Sequence, residues 1–216
     1  MAESAAEGVI KYRSQHVAGF VPSSHELEQL NCARSTLFDL GLIGVSAQGI
    51  GYGNVSVRTE GDQFVISGSA TGSLRVLTLA HYCHVTSFSM DDNSVCSSGA
   101  LDASSESMTH GAIYAANSRV RCVIHVHSRS LFAALLGQHA LHTAADVAYG
   151  TPSMARAVSR LVTLQSELPV IFAMTGHDEG VVAYGADVAL VQGLLIDSFE
   201  RSISHDQDWH HRRQRP

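Results

Sequence analysis

The sequence is short of positive charge, of long apolar runs and of paired cysteines, and each shortage removes a class of function. Fourteen Lys and Arg stand against twenty Asp and Glu, a formal net charge of -6. That leaves no basic excess to displace counterions from a nucleic acid or to meet anionic lipid head groups. The one basic run, Arg212, Arg213 and Arg215, lies beside His210 and His211 after the last apolar stretch and reads as a solvated tail. Nowhere does the chain hold the roughly 18 consecutive apolar residues of a membrane span. The first residues, MAESAAEGVIKYRSQH, have no positive region followed by an unbroken apolar one. Cys32, Cys83, Cys96 and Cys122 are far apart with no C-x-x-C, which fits neither a disulfide framework nor a zinc ribbon. The expected setting is a reducing cytosol.

What is present suits one globular domain. The 216 residues are 45% hydrophobic and 16% charged, enough apolar material for a single core. The expected organisation is an N-terminal extension over 1–22, a domain over 23–204 and a C-terminal tail over 205–216. Ser23 and Glu26 form a capping box for a helix ended by Gly41, with Leu27, Leu30, Leu37 and Leu40 near one face. Alternating apolar residues in NVSVR and QFVIS predict two strands, while residues 67–100, rich in Ser and Gly, read as loops around one short strand near 84–90. A helix capped by Ser104 or Ser105 runs to about Asn117, and RCVIHVH is a strand followed by a helix at SLFAALL. Thr151 and Pro152 start another helix, with Thr151 at the N-cap. Strands at 169–174 and 181–184 flank the polar turn TGHDEG, and a last helix spans about Ala186 to Ile203. Short connections between paired strands favour antiparallel pairing, hence a three-layer α/β or α+β domain with a mixed or antiparallel sheet.

The chemistry concentrates in a few positions. His125 and His127 are two apart on a strand, so both imidazoles project from one face and can meet one ion; a packed core pair is the plainer alternative. His177 lies in a polar turn between strands, where a ligand can be presented or a histidine can simply face solvent. Glu106 falls in the first turn of its helix, either as a carboxylate favoured by the helix dipole or as a fourth ligand and proton shuttle. Three imidazoles and a carboxylate suit Zn²⁺, with Mn²⁺, Co²⁺ or Fe²⁺ able to use the same set. His110, one turn after Glu106, could support the ligands from behind. Gly53-Asn54, Thr71-Gly72 and Ser104-Ser105 are glycine- and hydroxyl-rich pieces that bind anions through backbone amides or form ordinary turns.

In order, the motifs read GNVSVR (53–58), FVISGSATG (64–72), SSESMTHGAIY (104–114), VIHVHS (123–128), AYGTPSMARAV (148–158) and GHDEGVVAYG (176–185). As a set they resemble the class II aldolase/adducin family from about residue 25 to 200. The resemblance implies a three-layer α/β/α sandwich around a mainly antiparallel sheet, and a homotetramer with active sites at subunit interfaces. It implies Glu106 as the acid/base that also touches the metal, and His125, His127 and His177 as ligands. It places Gly53, Asn54, Thr71, Gly72, Ser104 and Ser105 at the substrate phosphate. The segment FVISGSATG is longer than the family's strand and turn, so Ser67-Gly68 and Thr71-Gly72 compete for one phosphate position. GHDEG carries two extra residues, and 137–149 offers no clear counterpart to the tyrosine of the fuculose-phosphate enzyme. The expected activity is an aldolase that cleaves or forms a C–C bond in a small phosphorylated ketose through an enediolate. Dehydration, epimerisation and decarboxylation are alternatives on the same site, a non-catalytic adducin-like domain is another, and a non-haem iron oxygenase is a third class.

Overall fold

The computed structural model describes the backbone of residues 9–213 and the side chains through residue 204. Among the described residues ten strands and five α-helices follow one another as β1 (Arg13–Val17), α1 (His25–Asp39), β2 (Gly44–Val45), β3 (Gly51–Tyr52), β4 (Asn54–Arg58), β5 (Phe64–Ser67), β6 (Tyr82–Ser89), β7 (Ser94–Gly99), α2 (Ser107–Ala116), β8 (Cys122–His127), α3 (Arg129–Gly137), α4 (Pro152–Thr163), β9 (Val170–Ala173), β10 (Gly180–Gly185) and α5 (Val188–Arg213). Eight strands form one sheet in the order β1-β7-β6-β5-β4-β8-β10-β9. Every pairing in it is antiparallel except β1 with β7.

Strand alternation sorts the core into two layers. On one face Val55 and Val57 of β4 with Cys122, Ile124 and Val126 of β8 pack under Leu30 and Leu37 of α1, Leu131 of α3 and Val191 and Leu195 of α5. On the other, Phe64 and Ile66 of β5, Val123 of β8 and Val182 of β10 pack under Met108 and Ala112 of α2 and Met154, Val158 and Val162 of α4. Each such fully buried aliphatic or aromatic side chain contributes about 1.5–3 kcal/mol. The result is the three-layer α/β/α sandwich around a mainly antiparallel sheet.

Several expectations need correction. Residues 13–17, inside the segment read as an extension, form β1 and extend the sheet; RSQHV hid this because only its valine is apolar. The serine-rich stretch 94–99 is the full strand β7, its inward residues Val95 and Ser97 buried against β6. Helix α1 is capped by Ser24, whose hydroxyl accepts from the Leu27 amide, one residue after the expected cap. Neither Ser104 nor Ser105 caps α2: Glu106 occupies the N-cap, with no side-chain capping bond. Helix α5 continues through Arg213, ten residues past the end expected near Ile203. Thr151 and Pro152 stand where expected, the Thr151 hydroxyl accepting from the Met154 amide. No helix among the described residues is long and apolar enough to cross a membrane.

Candidate metal centre and anion pocket

The site forms where the C-terminal end of β8 meets the turn between β9 and β10. Because β8 alternates, Val123, His125 and His127 share the face that carries α2 and α4. His125 stands opposite Asn54 of β4, and His127 opposite Gly180 of β10. The β9–β10 turn is closed by the His177 amide donating to the Met174 carbonyl and the Gly180 amide donating to that of His177. This folds the His177 ring back over Gly180. A side chain at 180 would collide with that ring, so glycine there is what admits the third histidine.

The three Nε2 atoms converge. His125 to His127 is 3.1 Å, His125 to His177 3.2 Å and His127 to His177 2.8 Å. A tetrahedral ion with bonds of about 2.05 Å sets its ligands about 3.3 Å apart, so the triangle is close to one face of such a polyhedron. The His125 Nδ1 donates to the Val181 carbonyl at 3.1 Å, which fixes the proton on that nitrogen and turns the Nε2 lone pair to the centre. Burial, followed by the proximity of His127 and His177, pushes the His125 imidazolium well below the ordinary range. Burial, then His127, then Lys11 does the same for His177. Three buried imidazoles whose Nε2 atoms meet at one point are the donor set a divalent ion requires, and the residues present fit one.

Glu106 lines the same pocket as His125 and His177 and is 3% exposed, its Oε2 accepting from the Thr109 hydroxyl at 2.8 Å. The ligand atoms lying within 4.8 Å of one another are those of the three histidines alone, with Glu106 beside that set rather than in it.

The pocket runs from this centre to the glycine-rich turns. Its wall includes Gly53, Asn54, Gly68, Ser69, Ala70, Thr71, Gly72, Ser104 and Ser105, so all six residues expected at a phosphate are brought together. Of the two competing pieces, Ser67 is turned inward and accepts from the Val55 amide, whereas Thr71 and Gly72 face the pocket. The loop is held from behind by the buried Arg34 of α1, which donates to the carbonyls of Thr71 at 3.0 Å and Leu74 at 2.6 Å. Gly72 lies directly against Gly44 and Gly51, and any Cβ there would strike the Gly44 carbonyl. Asn54 is buried with its Oδ1 lacking any hydrogen-bond partner. Turned over, that amide would present N–H donors to an anion.

Four neighbours were not found in the sequence. The Tyr149 ring lies 4.3 Å from that of His177, the Tyr52 ring 5.5 Å from that of His127, and Lys11 stands over Tyr149. Arg34 is the fourth. All lie on other elements, and only the fold brings them here; the one available signal was Tyr149 beginning the YGTP motif.

His110 sits on α2 one turn beyond Glu106, fully buried, its Nδ1 2.7 Å from the Ser56 hydroxyl and its Nε2 without a partner. Burial depresses it to about 3 from an ordinary value of 6.5. A depressed histidine binds its proton more readily in the unfolded chain, so this contribution to stability is complete above about pH 6.5 and is lost as pH falls toward 3. Metal-depleted protein is therefore expected to lose stability through that window at up to about 1.4 kcal/mol per pH unit. Denaturant midpoints measured from pH 7 to 4 should show a shallower slope in His110→Asn; equal slopes would show that the proton is taken up elsewhere.

Comparison with known proteins agrees with this geometry. The profile described as the class II aldolase and adducin N-terminal domain matches residues 45–190. No curated protein matches the chain. Among solved structures, an L-fuculose 1-phosphate aldolase superposes with a TM-score of 0.61 at 16% identity, covering 90% of each chain. A sugar-phosphate aldolase from Thermotoga maritima gives 0.57 at 18%, covering 84% of this chain and 96% of that one. YgbL from Klebsiella pneumoniae, whose activity is left open among aldolase, epimerase and decarboxylase, gives 0.58 at 20%, covering 82% and 86%. These likenesses share the fold, and the profile spans about two thirds of the sequence, including all three histidines and every pocket-lining residue from Ile50 onward. The chain belongs to the class II aldolase and adducin family.

Proposed function

We propose that the chain is a metal-dependent lyase of the aldolase type, acting on a small phosphorylated ketose. The observation that supports this reading best is the convergence of three histidine Nε2 atoms within 3.2 Å of one another, two of the rings, His125 and His177, lining one pocket with Glu106 and a cradle of backbone and hydroxyl groups. His125, His127 and His177 hold the ion, for which Zn²⁺ is the first choice and Mn²⁺, Co²⁺ or Fe²⁺ are chemically compatible. When bound, such an ion polarises carbonyl and hydroxyl oxygens of the substrate. Glu106 is a further candidate ligand, and its main role is acid/base.

In the cleavage direction the C4 hydroxyl gives up its proton to solvent and C4 becomes an aldehyde, while the electron pair of the broken C3–C4 bond passes to C3. Glu106 delivers a proton to that carbon, and removes one from it in the reverse direction. Asn54, Thr71, Gly72, Ser104 and Ser105 seat the phosphate through amide and hydroxyl donors, fixing the reactive carbon against the carboxylate. Tyr149 and Tyr52 wall the histidines and limit water. A tetramer with sites at subunit interfaces belongs to the same reading. A non-catalytic adducin-like role is disfavoured by the retention of a complete, buried imidazole set.

An aldolase that works this way exchanges the hydroxymethyl hydrogen of dihydroxyacetone phosphate with solvent even when no aldehyde is present. Proton NMR in D₂O with metal-replete protein should show loss of that signal, and chelated protein should not. Full metallation without exchange would transfer preference to dehydration, epimerisation or decarboxylation on the same residues.

A further inference from the structure

Among the described residues the pocket wall carries no lysine or arginine, although an anion is its proposed occupant. The sequence contains one lysine in 216 residues, Lys11, and the fold sets its ammonium over the ring of Tyr149, a residue of the pocket wall. Val9, two residues earlier, lines the pocket itself. The segment between is pinned at several points. The Tyr12 hydroxyl donates to the carbonyls of Ala103 at 2.9 Å and Ser104 at 3.0 Å, tying it to the loop that presents Ser104, Ser105 and Glu106. The Asn93 side-chain amide donates to the Lys11 carbonyl at 2.9 Å, and the Arg13 amide donates to the Asn93 carbonyl at 2.7 Å.

The Lys11 ammonium lies 3.4 Å from the centroid of the Tyr149 ring and donates to the Tyr149 carbonyl at 3.1 Å. Gly150 lies close to both the Lys11 stem and the Ser105 backbone: a Cβ there would lie 3.4 Å from Lys11 Cδ and 3.7 Å from the Ser105 oxygen. Among the described residues no carboxylate lies within ion-pair distance of it. An ammonium has three N–H donors, and one carbonyl and one ring face leave it a donor to give. Burial lowers its pKa from the ordinary lysine value, and the charge of Glu106, within electrostatic reach, offsets part of this by favouring the ammonium.

We infer that Lys11 is a substrate-contacting residue that sets specificity, its ammonium pairing with the anionic group seated on Thr71-Gly72 and Ser104-Ser105 so that the site selects phosphorylated over uncharged substrates. This rests on the reading of those residues as a phosphate cradle. Backbone amides and hydroxyls orient an anion, but none of them supplies a full opposite charge. A single cation brought in by the N-terminal segment does so, without placing a lysine among the metal ligands.

The lone lysine makes the test direct. Reductive ¹³C-methylation keeps its charge and labels only Lys11 and the α-amino group, and a Lys11→Arg protein identifies which resonance is which. In metal-replete full-length protein, titration with inorganic phosphate should shift the Lys11 methyl resonance saturably. Calorimetry should show phosphate affinity weakened at least about tenfold in Lys11→Met, about 1.4 kcal/mol, and held within about threefold in Lys11→Arg, with metal content unchanged in both. A Lys11 resonance indifferent to saturating phosphate, or Lys11→Met binding phosphate as tightly as the native protein, overturns the inference and leaves Lys11 as packing on Tyr149. Failure of the native protein to bind phosphate at all overturns the cradle reading as well, and so is distinct from failure of Lys11 alone.

Discussion

Changing His125 and His127 together to alanine is expected to lower bound divalent metal by tenfold or more while leaving a folded protein. Two of three converging donors are removed, and loss even of the groups that merely orient a ligand costs about 10–100-fold in affinity. The β8 ladder to β4 and β10 is main chain and survives the change, which costs the sheet only the bond from His125 Nδ1 to the Val181 carbonyl of β10. Metal analysis after dialysis gives the first reading and thermal unfolding the second. Ligand held by the native state but not the unfolded one stabilises by about 2.7 kcal/mol when present at a hundred times Kd. Native protein should therefore lose melting temperature on chelation, and the double variant should not respond. If the variant kept native occupancy, the three rings would be a buried packing cluster and the metal would reside elsewhere.

Glu106→Gln separates binding from chemistry. Its amide keeps the size of the carboxylate and an oxygen able to accept from Thr109, so metal content should stay close to native. Turnover should fall about 10²–10⁴-fold, the usual contribution of a positioned acid/base. Exchange of the dihydroxyacetone phosphate hydrogen should fall with it. A small stability loss, about 0.3–1 kcal/mol, accompanies removal of a negative charge from the N-cap of α2. Parent-like turnover in a fully metallated variant would reduce Glu106 to that dipole role and require another base.

The parts of this site that could be read from sequence are those whose geometry is local. H-x-H on a strand fixes two imidazoles on one face whatever the surroundings, and Thr151 with Pro152 fixes a helix start in two residues. Order of motifs along the chain carried the family and, with it, the fold. Local reading failed where the partner is remote or the composition atypical. Lys11 and Tyr149 meet across 138 positions. SVCSSG spends its inward places on serine as well as valine, so β7 shows little apolar alternation, and β1 pairs in parallel at an edge with most of its side chains exposed. The serines before α2 resemble caps, yet the helix begins at Ser107 because Ser104 spends its carbonyl on the Ser107 amide and hydroxyl.

The contact of Gly72 with Gly44 and Gly51 bears on how such a site could be remodelled. Part of the anion-binding wall is main chain resting on main chain, with no side chain between the layers whose size could be adjusted. Substrate scope therefore cannot be tuned from that wall without moving β2 and β3 as a unit. The adjustable surface is the rest of the lining, where Val9, Ile50, Tyr52 and Tyr149 present larger side chains to the same cavity. A library aimed at longer or shorter substrates belongs at those four positions, with the glycines held constant as the mould against which the new shapes are cast.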